Sequence, residues 1–86
     1  MTQEQAGRLL IYTTKRCADC AAAKALLDRL RVVYDEIDID ADAESAATVL
    51  AINGGFRTVP TLVLPDGRVL IEPSHQALLS EFGPAS

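Results

Sequence analysis

The sequence predicts an α/β fold in which three helices cover a four-stranded mixed sheet, in the order β-α-β-α-β-β-α. Two observations predict this class. Short apolar runs rich in β-branched residues alternate with stretches whose apolar residues recur three and four positions apart, as in crossover units. Near the carboxyl end, a Pro-Asp-Gly turn separates two further apolar runs, which is typical of a hairpin. The crossover favours parallel strands, and the hairpin should add antiparallel ones.

The first strand and helix come from adjoining segments. Residues 9–13 form an apolar, partly β-branched run that is typical of a buried strand. A helix is predicted over residues 17–31, which are rich in good helix formers. Its apolar side chains repeat with the spacing of one helix face, at Ala23, Leu26, Leu27 and Leu30.

The second strand and helix carry a weaker pattern. Over residues 33–40, Ile37 and Ile39 alternate with acidic residues, as on a half-buried strand. Asp42 fits the N-cap of a second helix. That helix should bury a stripe made of Ala43, Ala46, Ala47 and Leu50. The sequence Asn-Gly-Gly at 53–55 supplies the left-handed residue that ends it.

The hairpin and the last helix complete the pattern. Residues 61–64 and 69–71 flank the turn and are the predicted hairpin strands. Ser74 is expected to cap the last helix. Its shared face is predicted to carry His75, Leu78, Leu79 and Phe82, with Gly83 and Pro84 ending the helix.

Length and charge exclude several classes of function. With 86 residues and 9.2 kDa, the chain is expected to form one domain over residues 1–86. The net charge of −4 argues against binding to nucleic acid, which needs clustered Lys and Arg. No apolar segment typical of a signal peptide is seen, and no apolar run approaches the roughly 20 residues that span a bilayer. We therefore expect a cytoplasmic monomer with no membrane partner.

The two cysteines, Cys17 and Cys20, lie where the first strand gives way to the first helix. Unpaired N–H groups and the dipole at a helix start favour negative charge, so a thiolate at Cys17 should be stabilised and nucleophilic. Cys20 lies nearly one turn deeper on the same side and should be more buried. The predicted roles follow: Cys17 attacks a disulfide, and Cys20 resolves the mixed disulfide.

Two other interpretations of the cysteine pair are weaker. A structural zinc site needs four Cys or His ligands, and the chain has two Cys and one His. Only a half-site completed by a second chain would remain. An inert buried pair does not explain the position at a helix start, and a bridge over so short a loop would add little stability. A redox-active pair is therefore favoured.

Residues near the cysteines are further candidates. Lys15 and Arg16 directly precede Cys17, where each cation either favours the thiolate or is a solvated loop charge. Pro60 directly precedes a predicted strand, where it cannot donate to the ladder. Its bond to Val59 is either trans, the common form, or cis, which would turn the Val59 backbone outward to pair with an extended substrate.

These segments resemble the glutaredoxin family within the thioredoxin fold, and most closely the mycoredoxin-like and ribonucleotide-reductase-donor redoxins of bacteria. The resemblance covers about residues 9–82. The segments that carry it are Tyr12-Thr13-Thr14 before Cys17-Ala18-Asp19-Cys20, the run from Asn53 to Thr61, Pro65-Asp66-Gly67, and Glu72-Pro73-Ser74.

The resemblance implies a cis bond at Pro60, Cys17 as the nucleophile and Cys20 as the resolving thiol. It also implies a groove for a low-molecular-weight thiol. The predicted thiol- or substrate-binding residues are Lys15, Arg16, Arg57, Thr58, Val59, Pro60 and Ser74. Glutathione-type members usually carry Pro-Tyr between the cysteines, where this chain has Ala18-Asp19. Mycothiol, bacillithiol or direct protein disulfides are therefore alternatives to glutathione.

The leading hypothesis is a thiol–disulfide oxidoreductase with no tightly bound cofactor. It would reduce protein disulfides, or mixed disulfides with a low-molecular-weight thiol, in partners such as ribonucleotide reductase or a peroxidase. One alternative is a dedicated electron donor to ribonucleotide reductase. Another is a dimer that carries an iron–sulfur cluster through Cys17 of each chain. A third is a binding module that uses the sheet edge and the Val59 backbone, without thiol chemistry.

Overall fold

The computed structural model describes residues 8–83 and contains seven elements in the predicted order. They are β1 (Leu9–Thr13), α1 (Ala18–Arg29), β2 (Tyr34–Asp38), α2 (Ala43–Ile52), β3 (Thr61–Val63), β4 (Val69–Ile71) and α3 (His75–Phe82). The predicted β-α-β-α-β-β-α class is confirmed. None of the helices in this part of the chain is long and apolar enough to cross a bilayer.

The sheet is mixed, as predicted, with the strand order β2-β1-β3-β4. The central strand β1 pairs in parallel with β2, so that Thr13 lies opposite Asp38. On its other side β1 pairs antiparallel with β3, which in turn pairs antiparallel with β4. Because β1 is an inner strand, the loop that follows it and the start of α1 lie near the middle of the sheet, at the carboxyl end of β1.

Helices cover both faces of the sheet. Successive side chains of β1 point to opposite faces and therefore pack against different helices. On one face, Leu9 and Ile11 belong to an apolar cluster with residues of α1 and α3. The members from those two helices are Ala23, Leu27 and Leu78. On the other face, Tyr12 packs with Val49 of α2 and with Ile39, which follows β2. The cysteine-bearing helix α1 is thus fixed to the sheet along its buried side.

Helix α1 agrees with the sequence pattern but is shorter than the predicted residues 17–31. Ala23 and Leu27 are buried and Leu26 is half-buried, as the stripe predicted. The helix ends at Arg29, and Arg31 takes a left-handed φ of 61°. The strand β2 is also shorter than the predicted 33–40, because Val33 lies outside the ladder and is 68 % exposed.

The predicted buried stripe of α2 is wrong by about one position around the helix. Val49 is its fully buried residue, whereas Ala43 and Ala47 are exposed. Ala46 and Leu50, the other two predicted members, are half-buried on either side of the inward face that Val49 centres. Asp42 does occupy the N-cap position, but its carboxylate accepts from the Ser45 hydroxyl rather than from a backbone N–H.

The predicted inner face of α3 is also only partly right. Leu78 is fully buried and Phe82 is half-buried against the same cluster, but Leu79 is 47 % exposed. His75 is exposed as well. The short helix meets the sheet along a stripe too narrow to include Leu79, which is one position around the helix from Leu78.

The neighbouring leucines of α3 provide a matched test of this packing. Leu78→Ala should lower the free energy of unfolding by about 2–5 kcal/mol, because it opens a cavity in the core. Leu79→Ala removes the same atoms from a half-exposed site and should cost less than about 1 kcal/mol. Urea unfolding measures both values, and equal losses would contradict the observed orientation of α3.

Candidate active site

Cys17 is the N-cap residue of α1, with an extended backbone at φ −114° and ψ 107°. Its Sγ accepts a hydrogen bond from the backbone N–H of Cys20 at 3.0 Å. Its carbonyl accepts the first helical hydrogen bond, from Ala21 at 3.1 Å. The sulfur therefore takes the place that a Ser or Asp oxygen usually takes at a helix start. A negative charge on Cys17 would face an N–H donor and the positive end of the helix.

Cys20 lies in a very different environment from Cys17, although both are free thiols. Cys20 is 1 % exposed, whereas Cys17 is partly exposed. Burial, the largest cause, and a hydrogen bond with Cys17 raise the pKa of Cys20 to about 12. The backbone of Thr14 and the charge of Lys24 act in the opposite direction but are outweighed. Cys20 is therefore a protonated thiol at neutral pH, below a more accessible sulfur.

The loop before β3 contacts Cys17. The Val59–Pro60 peptide bond is cis, as the resemblance implied. The Val59 carbonyl lies 3.9 Å from Cys17 Sγ, within range of a weak S–H···O contact. The loop that carries Val59 is therefore beside the partly exposed sulfur.

Two polar residues, for which the sequence predicted no role in the site, hold this loop in place. The Asn53 amide donates to the Val49 carbonyl at 3.0 Å and to the Thr61 hydroxyl at 3.3 Å. The Thr61 hydroxyl in turn donates to the Thr58 carbonyl at 2.7 Å. These bonds link the end of α2, the loop and the start of β3. The signal available in the sequence was Asn53 at a helix end, which predicted only the stop.

Both cysteines line one small cavity of about 210 Å³ at the carboxyl end of β1. Most of the residues that line it are polar or charged. They comprise Thr13, Thr14, Lys15, Cys17, Cys20, Ala21, Lys24, Glu36 and Asp38. Of the predicted binding residues, Lys15 lies here.

An ion pair between Lys24 and Glu36 lines this cavity. Lys24 Nζ lies 2.8 Å from Glu36 Oε2, and the Thr13 hydroxyl donates to the same oxygen at 2.7 Å. The hydrogen bond from Lys24, followed by the one from Thr13, lowers the pKa of Glu36. The hydrogen bond to Glu36 raises the pKa of Lys24. Both groups are therefore charged at neutral pH.

A second groove, of about 300 Å³, runs between α1 and the start of α3. Its lining includes Asp19, Pro60, Glu72, Ser74 and His75. The Ser74 hydroxyl accepts from the Ala77 N–H at 3.0 Å, which confirms the predicted cap. The Glu72 N–H donates to the Pro60 carbonyl at 2.8 Å and joins the end of β4 to the start of β3 beside the groove.

Three other predicted residues, Arg16, Arg57 and Thr58, line neither cavity. Arg57 is exposed, and its Nη2 lies 2.5 Å from Asp40 Oδ1. Arg16 is exposed as well. The structure thus brings Lys15, Val59, Pro60 and Ser74 to the cysteines or to the adjoining groove. Sequence reasoning missed Lys24 and Glu36, although Lys24 follows Cys20 by four residues on one helix.

Comparison with known proteins decides the family. Residues 9–70, which make up most of the chain, match the family model for glutaredoxin. The chain belongs to the glutaredoxin family. As a glutaredoxin it is a thiol oxidoreductase with thiol and disulfide partners, and its fold is thioredoxin-like, as the resemblance implied.

Individual relatives agree with this assignment. A Mycobacterium tuberculosis protein provisionally named a glutaredoxin is 46 % identical over 66 residues, covering 77 % of this chain and 79 % of its own. Mycoredoxin 1 of Corynebacterium glutamicum is 38 % identical over 76 residues, covering 88 % and 94 %. The solved glutaredoxin of Brucella melitensis has a TM-score of 0.71 at 31 % identity, covering 90 % and 83 %. The resemblance to mycoredoxin-like glutaredoxins is thereby confirmed.

The burial difference between the thiols predicts the order of their alkylation. Short exposure of the reduced protein to N-ethylmaleimide at neutral pH should label Cys17, because Cys20 is buried and protonated. Peptide mass spectrometry locates the label, and the denatured protein, in which both thiols react, is the control. Labelling of Cys20 ahead of Cys17 would contradict the described geometry.

Proposed function

We propose that this glutaredoxin is a dithiol thiol–disulfide oxidoreductase that reduces protein disulfides, or mixed disulfides with a low-molecular-weight thiol. The observation that carries the proposal is the asymmetry of the pair. The Cys17 sulfur is partly exposed and accepts an N–H bond at the start of α1, while the Cys20 sulfur is buried beneath it. One sulfur is suited to meet a partner, and the other to act afterwards.

The proposed reaction has two exchange steps. In the first, the Cys17 thiolate attacks a disulfide sulfur of the substrate, a Cys17–substrate bond forms, and the other substrate sulfur leaves as a thiolate. In the second, Cys20 attacks the Cys17 sulfur, the Cys17–Cys20 disulfide forms, and the remaining substrate sulfur leaves reduced. Two molecules of a low-molecular-weight thiol then return the pair to the dithiol form by two further exchanges, and they leave joined as a disulfide.

The residues around Cys17 support a binding surface on two sides. On one side, Val59 could pair its backbone with an extended substrate, while Thr58 and Pro60 shape the loop. Lys15 in the cysteine cavity and Ser74 in the second groove are proposed to contact the thiol co-substrate. Arg16 and Arg57 are proposed as outer contacts, because their exposed guanidinium groups suit an anionic or polar partner.

The co-substrate is proposed to be glutathione, mycothiol or bacillithiol, with no tightly bound cofactor. Protein partners would carry an accessible disulfide, as ribonucleotide reductase or a peroxidase can. A monomer in a reducing cytoplasm suits this cycle, because the pair must be returned to the dithiol form after each turnover. The similarity to mycoredoxin 1 supports mycothiol among these thiols.

Single substitutions test the roles of the two cysteines. Cys17→Ser should reduce turnover to background on any disulfide, since it removes the attacking sulfur. Cys20→Ser should keep activity on small mixed disulfides, where a second thiol can replace the resolving cysteine. Turnover assays with a mixed disulfide and with a protein disulfide measure both. Activity in Cys17→Ser would refute the assignment, and equal loss in both variants would indicate a strictly dithiol mechanism.

The co-substrate can be identified by a side-by-side assay. The oxidised protein would be mixed separately with glutathione, mycothiol, bacillithiol and a thioredoxin reductase system, and recovery of free thiols would be followed. We expect one of the small thiols to reduce the Cys17–Cys20 disulfide fastest. Reduction by thioredoxin reductase alone would contradict a low-molecular-weight thiol and favour a dedicated donor to ribonucleotide reductase.

A further inference from the structure

We infer that Lys24 assists the resolving step by stabilising the negative charge that forms on Cys20, and that Glu36 holds Lys24 in place while moderating its charge. This inference rests on the proposed dithiol function. Lys24 is a positioning residue in this scheme, because it acts through Cys20 and not on the substrate.

Helix geometry puts Lys24 beside the buried thiol. Cys20 and Lys24 are four residues apart on α1 and therefore share one face of the helix. Both line the cavity at the end of β1. The Lys24 side chain is held there from the neighbouring strand by Glu36 Oε2 at 2.8 Å, and that oxygen is itself fixed by the Thr13 hydroxyl at 2.7 Å.

The charges around Cys20 make Lys24 the relevant cation. The ionisable groups that line the cavity with Cys20 are Lys15, Cys17, Lys24, Glu36 and Asp38. The charge of Lys24 lowers the pKa of Cys20 against the larger effect of burial. When Cys17 is bound in a mixed disulfide it carries no charge, so Lys24 then acts on Cys20 without competition from a Cys17 thiolate.

The chemical step defines what Lys24 would do. Cys20 loses its proton to solvent through the cavity, and its thiolate attacks the Cys17 sulfur. The Cys17–Cys20 bond forms, the bond from Cys17 to the substrate sulfur breaks, and the leaving thiolate takes up a proton from solvent. Cys20 is oxidised and the substrate sulfur is reduced. A nearby cation raises the fraction of Cys20 thiolate available for this attack.

Single-turnover kinetics separate this step from the first attack. The reduced protein would be mixed with 2,2′-dipyridyl disulfide, a neutral reagent that releases one coloured thione when Cys17 attacks and a second when Cys20 attacks. The first phase depends on reagent concentration and the second does not. If the wild-type protein shows no first phase, the proposed function fails; the inference about Lys24 is judged on the second phase alone.

Lys24→Met should slow the second phase about threefold and leave the first unchanged. A rise of about one unit in the pKa of Cys20 would lower its thiolate fraction about tenfold. The more basic thiolate is a better nucleophile, which recovers about half of that loss on a logarithmic scale and leaves a rate about threefold lower. Lys24→Arg keeps the charge and should restore the rate. Arg29→Gln, which removes a cation from the far end of α1, is the matched control and should change neither phase.

Glu36→Gln distinguishes an electrostatic role from a structural one. The amide oxygen of Gln can still accept from Lys24 and hold it, but the negative charge that neutralises Lys24 is gone, so the second phase should be faster than in the wild-type protein. If Lys24 and Glu36 only tie α1 to β2, both substitutions should slow the second phase alike, and that result would overturn the inference. An unchanged second phase in Lys24→Met, in a variant whose circular dichroism shows native folding, would overturn it equally.

Discussion

The hydrogen bond from the backbone N–H of Cys20 to the sulfur of Cys17 is the contact on which the site depends. It uses a donor that the first turn of any helix leaves without a helical partner, and it fixes the sulfur at the positive end of α1. The same turn carries the Cys20 side chain into the core. One local structure therefore produces both an accessible sulfur and a buried one, and the fold needs only to hold that turn against the sheet.

The sheet holds the turn by packing and surrounds it with two unlike cavities. Ala23 and Leu27 bind α1 to the sheet, and the central position of β1 puts the cysteines at the middle of its edge. On one side lies the polar cavity with Lys24 and Glu36, which faces both thiols. On the other lies the groove containing Ser74. The first contains the cation that acts on Cys20, whereas the second runs between α1 and the start of α3.

The sequence predicted well whatever depended on local pattern: element order, the hairpin, the cap at Ser74, and the burial of Cys20 below Cys17. It failed where tertiary packing decides, since Val49, outside the mostly alanine stripe predicted for α2, is the fully buried residue there and Leu79 is half-exposed. The Lys24–Glu36 pair joins a helix to a strand twelve residues away. Periodicity within either element does not reveal such a contact.

The most direct test of the account compares Cys20→Pro with Cys20→Ala. Both variants lack the second thiol, but only proline lacks the N–H that bonds to Cys17, and proline is tolerated in the first turn of a helix. The rate of the first attack on 2,2′-dipyridyl disulfide should be about threefold lower in Cys20→Pro. A hydrogen bond to a charged group worth about 1.5 kcal/mol changes the thiolate fraction about tenfold, and the greater nucleophilicity of the more basic thiolate offsets about half of that change on a logarithmic scale. Equal rates in two folded variants would show that the reactivity of Cys17 does not depend on that bond.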